Sequence, residues 1–183
     1  GHGTHVAGIA GAGTNNGIGM SGVSWNGEIV SLRIFQANAF NCESVNDANI
    51  AAAMNYAGNL AQSTGRRVVV NMSLGSIPDS ISDTCSLTLR SAVTSALNKN
   101  VVLVAAAGNY LTPDPVVGKA ICCPARIPGV IAVGSIDERG IVDDWSARGS
   151  QLSVTAPGDS ILSLDSVSGG YMNLSGTSMA TPH

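Results

Sequence analysis

The sequence predicts a three-layer α/β domain, with a mostly parallel sheet held between helices. Two patterns carry that prediction. Short β-branched runs recur without polar alternation, as in strands covered on both faces. Between them lie segments whose apolar residues follow the 3.6-residue period of a helix. Composition agrees with both. Of 183 residues 44% are hydrophobic but only 4% aromatic, so the core must be assembled from Val, Ile, Leu and Ala. The 22 glycines supply tight turns and close backbone approaches.

Each element can be justified in turn. The opening "GHGTH" sets His2 and His5 three apart, a spacing that puts both on one helix face. Ile29–Ile34 reads as a strand. Ile50, Ala53, Met54, Ala57 and Leu60 then trace a helix, capped within Ser44 to Asp47 and ended by Gly65. Val68–Val70 is the next strand. Leu89, Ala92, Val93, Ala96 and Leu97 trace a second helix, with Lys99 near its negative end. Val101–Val104 and Val130–Val133 continue the sheet, which implies right-handed crossovers. After Ser135 come shorter strands at Leu152–Thr155, Ser160–Leu164 and Tyr171–Leu174, and a helix starting after Gly176. No repeat, linker or low-complexity tract divides the chain, so one domain is expected.

Charge narrows the function. The net charge is −3 and no basic cluster exceeds Arg66-Arg67, which argues against a nucleic-acid or anionic-membrane surface. The longest apolar stretch, Val101 to Ala107, is far too short for a membrane span. Four cysteines, Cys42, Cys85, Cys122 and Cys123, permit three full pairings and show no C-x-x-C zinc spacing. An even cysteine count with few charges fits an exported protein.

In such a sheet, functional groups gather at the carboxyl ends of strands. Three segments stand out there: "NMSLG" (71–75), "AAAGN" (105–109) and "GTS" (176–178). Ser178 follows a glycine at a helix start, where it is either an N-cap or a nucleophile facing free N–H groups. The stretch is not G-x-S-x-G, so a nucleophile elbow does not apply. The histidine pair lacks the H-E-x-x-H zinc spacing, which leaves one His as a general base and the other as a packed structural residue. Asn109 is a turn former or an oxyanion donor.

Taken together and in order, "GHGTHVAG", "NMSLG", "AAAGN" and "GTSMATPH" resemble the signature segments of the subtilisin-like serine proteases. The resemblance covers the whole chain, including "IAVGSID" and "VTAPGDSI". It implies the three-layer subtilisin-like fold, incomplete at both ends. His2 is then the general base, His5 a supporting histidine, Ser178 the nucleophile, and Asn109 the oxyanion donor together with the Ser178 N–H. Ser73, Leu74 and Gly75 would pair with an extended substrate. Ala106, Ala107 and Gly108 would form the other wall of an apolar pocket, with Tyr110 at its rim and its floor within residues 116–119.

"GTNNGIGMSGV" (13–23) is either a Gly-rich surface turn or, by the same resemblance, a calcium loop. In the latter case the Asn16 side chain and the carbonyls of Thr14, Ile18 and Met20 bind a structural Ca²⁺. Cys42 and Cys85 would bridge two loops flanking the substrate channel, a link of about 4 kcal/mol in the chain-entropy model. The family's triad carboxylate precedes the histidine in a D-[ST]-G motif, and none of the nine aspartates here fits it. Asp47, Asp137, Asp143, Asp144 and Asp159 read as surface or turn residues. Residues 1–183 would therefore be a partial catalytic domain, lacking the Asp-bearing part and the final helices, and nearly inactive alone. The implied whole is a secreted, monomeric serine endopeptidase made with an N-terminal propeptide, acting on polypeptides through an acyl-enzyme. It would bind neither nucleic acid nor membrane and need no catalytic cofactor. The rivals are an inactive binding domain and a serine esterase on the same scaffold.

Overall fold

The computed structural model describes residues 1–35, 46–78, 84–110 and 119–183. Four strands, β1 (Val68–Met72), β2 (Val101–Ala106), β3 (Ile131–Ile136) and β4 (Val154–Pro157), form an all-parallel sheet in the order β1-β2-β3-β4. Val70 pairs with Leu103, Ala105 with Ala132, and Gly134 with Thr155. A separate antiparallel hairpin joins β5 (Ile161–Leu164) to β6 (Tyr171–Leu174). The helices are α1 (His2–Gly11), α2 (Asp47–Thr64), α3 (Leu87–Leu97) and α4 (Thr177–Ala180). The expected α/β class with a parallel sheet is what the chain adopts.

Local chemistry explains where the helices begin and end. Asn46 caps α2, its Oδ1 accepting from the Asn49 N–H at 2.9 Å, and Gly65 closes it in the left-handed region at φ 66°. Glycine adopts that conformation without the Cβ clash that other residues suffer. Ser86 caps α3 through the Leu89 N–H at 3.2 Å. Both helices pack on one sheet face, where Met54, Leu89, Val93, Leu103 and Ala105 form the main core.

The other face is only partly covered. Helix α4 lies across β2, β3 and β4, and its Met179 joins Val6 and Ile9 of α1 in a second, smaller core. Val69, Val102, Ile131 and Val154 share this face by register and remain exposed. Strands read as covered on both faces are therefore half-open here.

Two expectations need correcting. Among the described residues Ile29–Ile34 is not a strand: β1 is the edge of the sheet there, no strand pairs with this run, and Ile29 and Val30 are exposed. Cys85 does not pair with Cys42. It is bonded to Cys123, across a Cα–Cα distance of 5.7 Å. The reason lies in the loop after β1, where Ser76 forms an antiparallel bridge with Cys123 and carries that cysteine towards the start of α3. A link over 38 residues contributes about 4 kcal/mol by unfolded-chain entropy. Cys42 itself lies outside the described residues.

Candidate active site

The carboxyl ends of β1 and β2 and the start of α4 meet at one place. Just past β1, the Ser73 hydroxyl donates to the Ser178 carbonyl at 2.7 Å and accepts from Asn71 Nδ2 at 3.0 Å. The Ser178 hydroxyl leans back on the Ser73 carbonyl at 3.4 Å. Just past β2, Asn109 turns its carboxamide oxygen to Thr177, accepting from the Thr177 N–H and from the Thr177 hydroxyl, each at 2.9 Å. With Oδ1 so engaged, Nδ2 points the other way.

Two donors then converge. A point one bond out from the Gly176 Cα lies 3.4 Å from Asn109 Nδ2 and 3.6 Å from the Ser178 nitrogen. The Ser178 N–H donates to no group among the described residues. Such a pair can stabilise a negatively charged oxygen formed beside the Ser178 hydroxyl. Thr177, which aims Asn109, was missed in the sequence. Its only signal there is a hydroxyl residue next to the serine.

Helix α1 reaches this place by packing Val6 and Ile9 against Met179 of α4. His5 is completely buried, and its Nε2 lies 3.0 Å from the carbonyls of both Ile161 and Met172. Two carbonyl acceptors require the proton on Nε2, and they tie α1 to both strands of the hairpin. The Ser163 hydroxyl adds a bond to the His5 carbonyl at 2.7 Å. This leaves His2, one turn earlier, as the exposed imidazole. Although solvent reaches it, crowding by protein lowers its pKa first of all, followed by the influence of His5. The ring stays neutral, as a base must, to more acidic pH than a free imidazole. His2 and Ser178 are not hydrogen-bonded to each other; among the described residues the His2 ring makes no hydrogen bond.

The two substrate walls lie side by side. Leu74 and Gly75 make no backbone hydrogen bond among the described residues, so this edge is open to an extended chain. Ala106 and Ala107 are buried, and Gly108 takes φ +123°, a conformation that only glycine adopts without strain. Cys122 sits between the walls. A Cβ on Gly75 would lie 2.9 Å from the Cys122 Cβ, and one on Gly108 would strike its Sγ. The expected floor largely falls outside the described residues, in 116–118, and sequence reading had overlooked Cys122. Tyr110 is not at a rim. It is buried, donating its hydroxyl to the Ala120 carbonyl at 2.6 Å.

In the loop 13–23, Asn15, Gly17 and Gly19 all have positive φ, and Asn16 Oδ1 accepts from the Ile18 N–H at 3.0 Å. The carbonyls of Thr14, Ile18 and Met20 accept no hydrogen bond among the described residues. Uncommitted hard oxygens are what calcium takes, but these three carbonyls, with the Asn16 oxygen already engaged by Ile18, are fewer than the six to eight it needs.

Comparisons with known proteins identify chains similar in sequence and fold. A 39% identical relative, the thermophilic serine proteinase of Bacillus sp. (strain AK1), matches all of this chain over 40% of its own length. The extracellular protease of Xanthomonas campestris pv. campestris is 34% identical, matched over 31% of its length. Subtilisin BL of Lederbergia lenta is 37% identical, matched over 60%. Among solved structures, sphericase superposes with a TM-score of 0.81 at 33% identity, covering 100% of this chain and 60% of that one. The chain thus spans between 31% and 60% of these relatives' length, less than two thirds of each. The subtilase family model matches residues 1–183, and the chain belongs to that family.

Proposed function

We propose that this chain is the central part of a secreted serine endopeptidase. His2 takes the Ser178 proton while Ser178 Oγ attacks a peptide carbonyl. The developing oxyanion lies between Asn109 Nδ2 and the Ser178 N–H, and His2 then protonates the leaving amine. Water attacks the acyl-enzyme by the same route in reverse. The triad carboxylate that orients His2 is expected upstream of Gly1. Substrate would lie extended along Ser73, Leu74 and Gly75, its side chain before the cut held between Gly75 and Ala106–Gly108.

One observation carries this reading: Asn109 Nδ2 and the Ser178 N–H, neither engaged among the described residues, lie 3.4 Å and 3.6 Å from one point beside Gly176. An inactive binding domain has no use for a carboxamide held by two bonds in that orientation. An esterase would share the donors, but the uncommitted edge at Leu74 and Gly75 favours a peptide.

A fluorophosphonate probe should label the full-length protein at Ser178, and Ser178→Ala should abolish both labelling and peptide hydrolysis. Labelling that survives in that variant removes Ser178 from the role. Asn109→Ala should lower kcat by about 10²–10³-fold with little change in KM, a magnitude carried over from a subtilisin's own oxyanion asparagine. Thr14, Asn16, Ile18 and Met20 would contribute part of a structural calcium site, completed by a carboxylate from elsewhere in the longer chain.

A further inference from the structure

Ser135 and Asp143 lie behind the site and take no part in the chemistry above. Ser135, near the carboxyl end of β3, is fully buried, and its hydroxyl donates to Asp143 Oδ2 at 2.5 Å. That is the short length of a charge-assisted bond. The backbones are tied as well: the Asp143 N–H donates to the Ser135 carbonyl at 3.1 Å. The Ser135 N–H donates to the hydroxyl of Ser146, also fully buried, at 3.0 Å. Asp143 is thus not simply the surface or turn residue that its sequence context suggested.

Two paths run forward from this pair. Residues 145–147 pair with the strand end that carries Asn109: the Tyr110 N–H donates to the Trp145 carbonyl at 2.7 Å, and the Ala147 N–H to the Gly108 carbonyl at 2.9 Å. On the other side Gly158 presses on Ser135, so closely that a Cβ there would strike the Ser135 hydroxyl. Gly158 in turn accepts from the N–H of Gly176, the N-cap of α4, at 2.8 Å. One hydrogen-bonded pair therefore backs both donors, Asn109 by the first path and the Ser178 N–H by the second.

We propose that Asp143 is a positioning residue for the oxyanion hole, acting through Ser135 on both of its walls. The inference rests on the proteolytic reading above. Without the carboxylate, the Ser135 hydroxyl is a buried donor with no acceptor. A shift of the Ser135 side chain toward another acceptor would pass through Gly158, which packs on it, to the Gly176 N–H bound to the Gly158 carbonyl.

The test uses the full-length protein with Asp143→Ala, Asp143→Asn and Ser135→Ala. Three quantities are read: kcat and KM on a peptide anilide, affinity for a peptidyl trifluoromethyl ketone, and affinity for the matching peptidyl alcohol. The ketone adds Ser178 Oγ to its carbonyl carbon and places an oxyanion in the hole; the alcohol does not. Asp143→Ala and Ser135→Ala should each lower kcat about tenfold, less than the hundredfold that an ångström of misplacement can cost. Ketone affinity should fall in step, with KM and alcohol affinity within twofold of wild type. Asp143→Asn, which still accepts from Ser135, should recover most of the loss.

Unchanged kcat in the alanine variants overturns the proposal. So does a loss shared by the ketone and the alcohol, which would be general loosening, or an Asn variant as poor as the Ala one. If Asp143→Ala does not fold, Ser135→Ala decides. A wild type that hydrolyses no peptide and takes no fluorophosphonate instead overturns the proteolytic reading, and this inference with it.

Discussion

Cys122 is 2% exposed and lies where the Gly75 and Gly108 walls meet, beside the Tyr110 hydroxyl at 3.9 Å. Burial raises its pKa, against smaller opposite effects from the Tyr110 hydrogen bond and the Arg126 charge. The thiolate is the reactive form, so a raised pKa keeps this sulfur inert as pH rises through the range where a free cysteine ionises. Native protein at pH 8 should therefore resist iodoacetamide at Cys122 and react there once denaturant is added. Peptide mapping that finds full native alkylation at Cys122 would contradict the packing described. His2, Ser178 and Asn109 were legible as candidates because each belongs to a short, distinctive word. Thr177, Ser135 and Asp143 were not, since a hydroxyl or carboxylate bonded across many residues leaves no local trace.

At the scale of elements, the helices followed their own chemistry closely. Apolar period, cap residue and terminating glycine lie within one stretch for α2, and they agree. Asn46→Ala removes the acceptor for the Asn49 N–H and should cost about 1 kcal/mol, read as a lower denaturant midpoint at unchanged m-value. No loss would mean the cap is replaced by water or by a neighbouring side chain. Strands were less secure. Ile29–Ile34 has the composition of β1 but no neighbour to bond among the described residues, and a strand exists only as part of a pair. The hairpin β5–β6 matters beyond its size, since it holds the buried His5 of α1 by both strands. The i,i+3 spacing of the histidines thus separates an exposed ring from a fastened one.

For the molecule as a whole, the proposed calcium loop and the open sheet face both concern stability. If the loop 13–23 binds calcium only when folded, the ion stabilises by about 2.7 kcal/mol at 100 times its Kd. A chelator should then lower the Tm of the full-length protein, and Asn16→Ala should lower it in calcium while shrinking the chelator's further effect. Equal Tm with and without chelator would remove the ion from the loop. Val69, Val102, Ile131 and Val154 present an apolar face that parallel sheets ordinarily bury.

The class of fold, the order of its elements and the family words were present in the linear sequence, because periodicity, capping and motif spacing are local properties. Pairing was not. Which cysteine meets Cys85, whether an apolar run finds a neighbouring strand, and which carboxylate is drawn under the site all depend on segments far apart along the chain. Those choices were made when the sheet and α4 brought the ends of β1, β2 and β3 together, since hydrogen bonds and disulfides answer to distance in space.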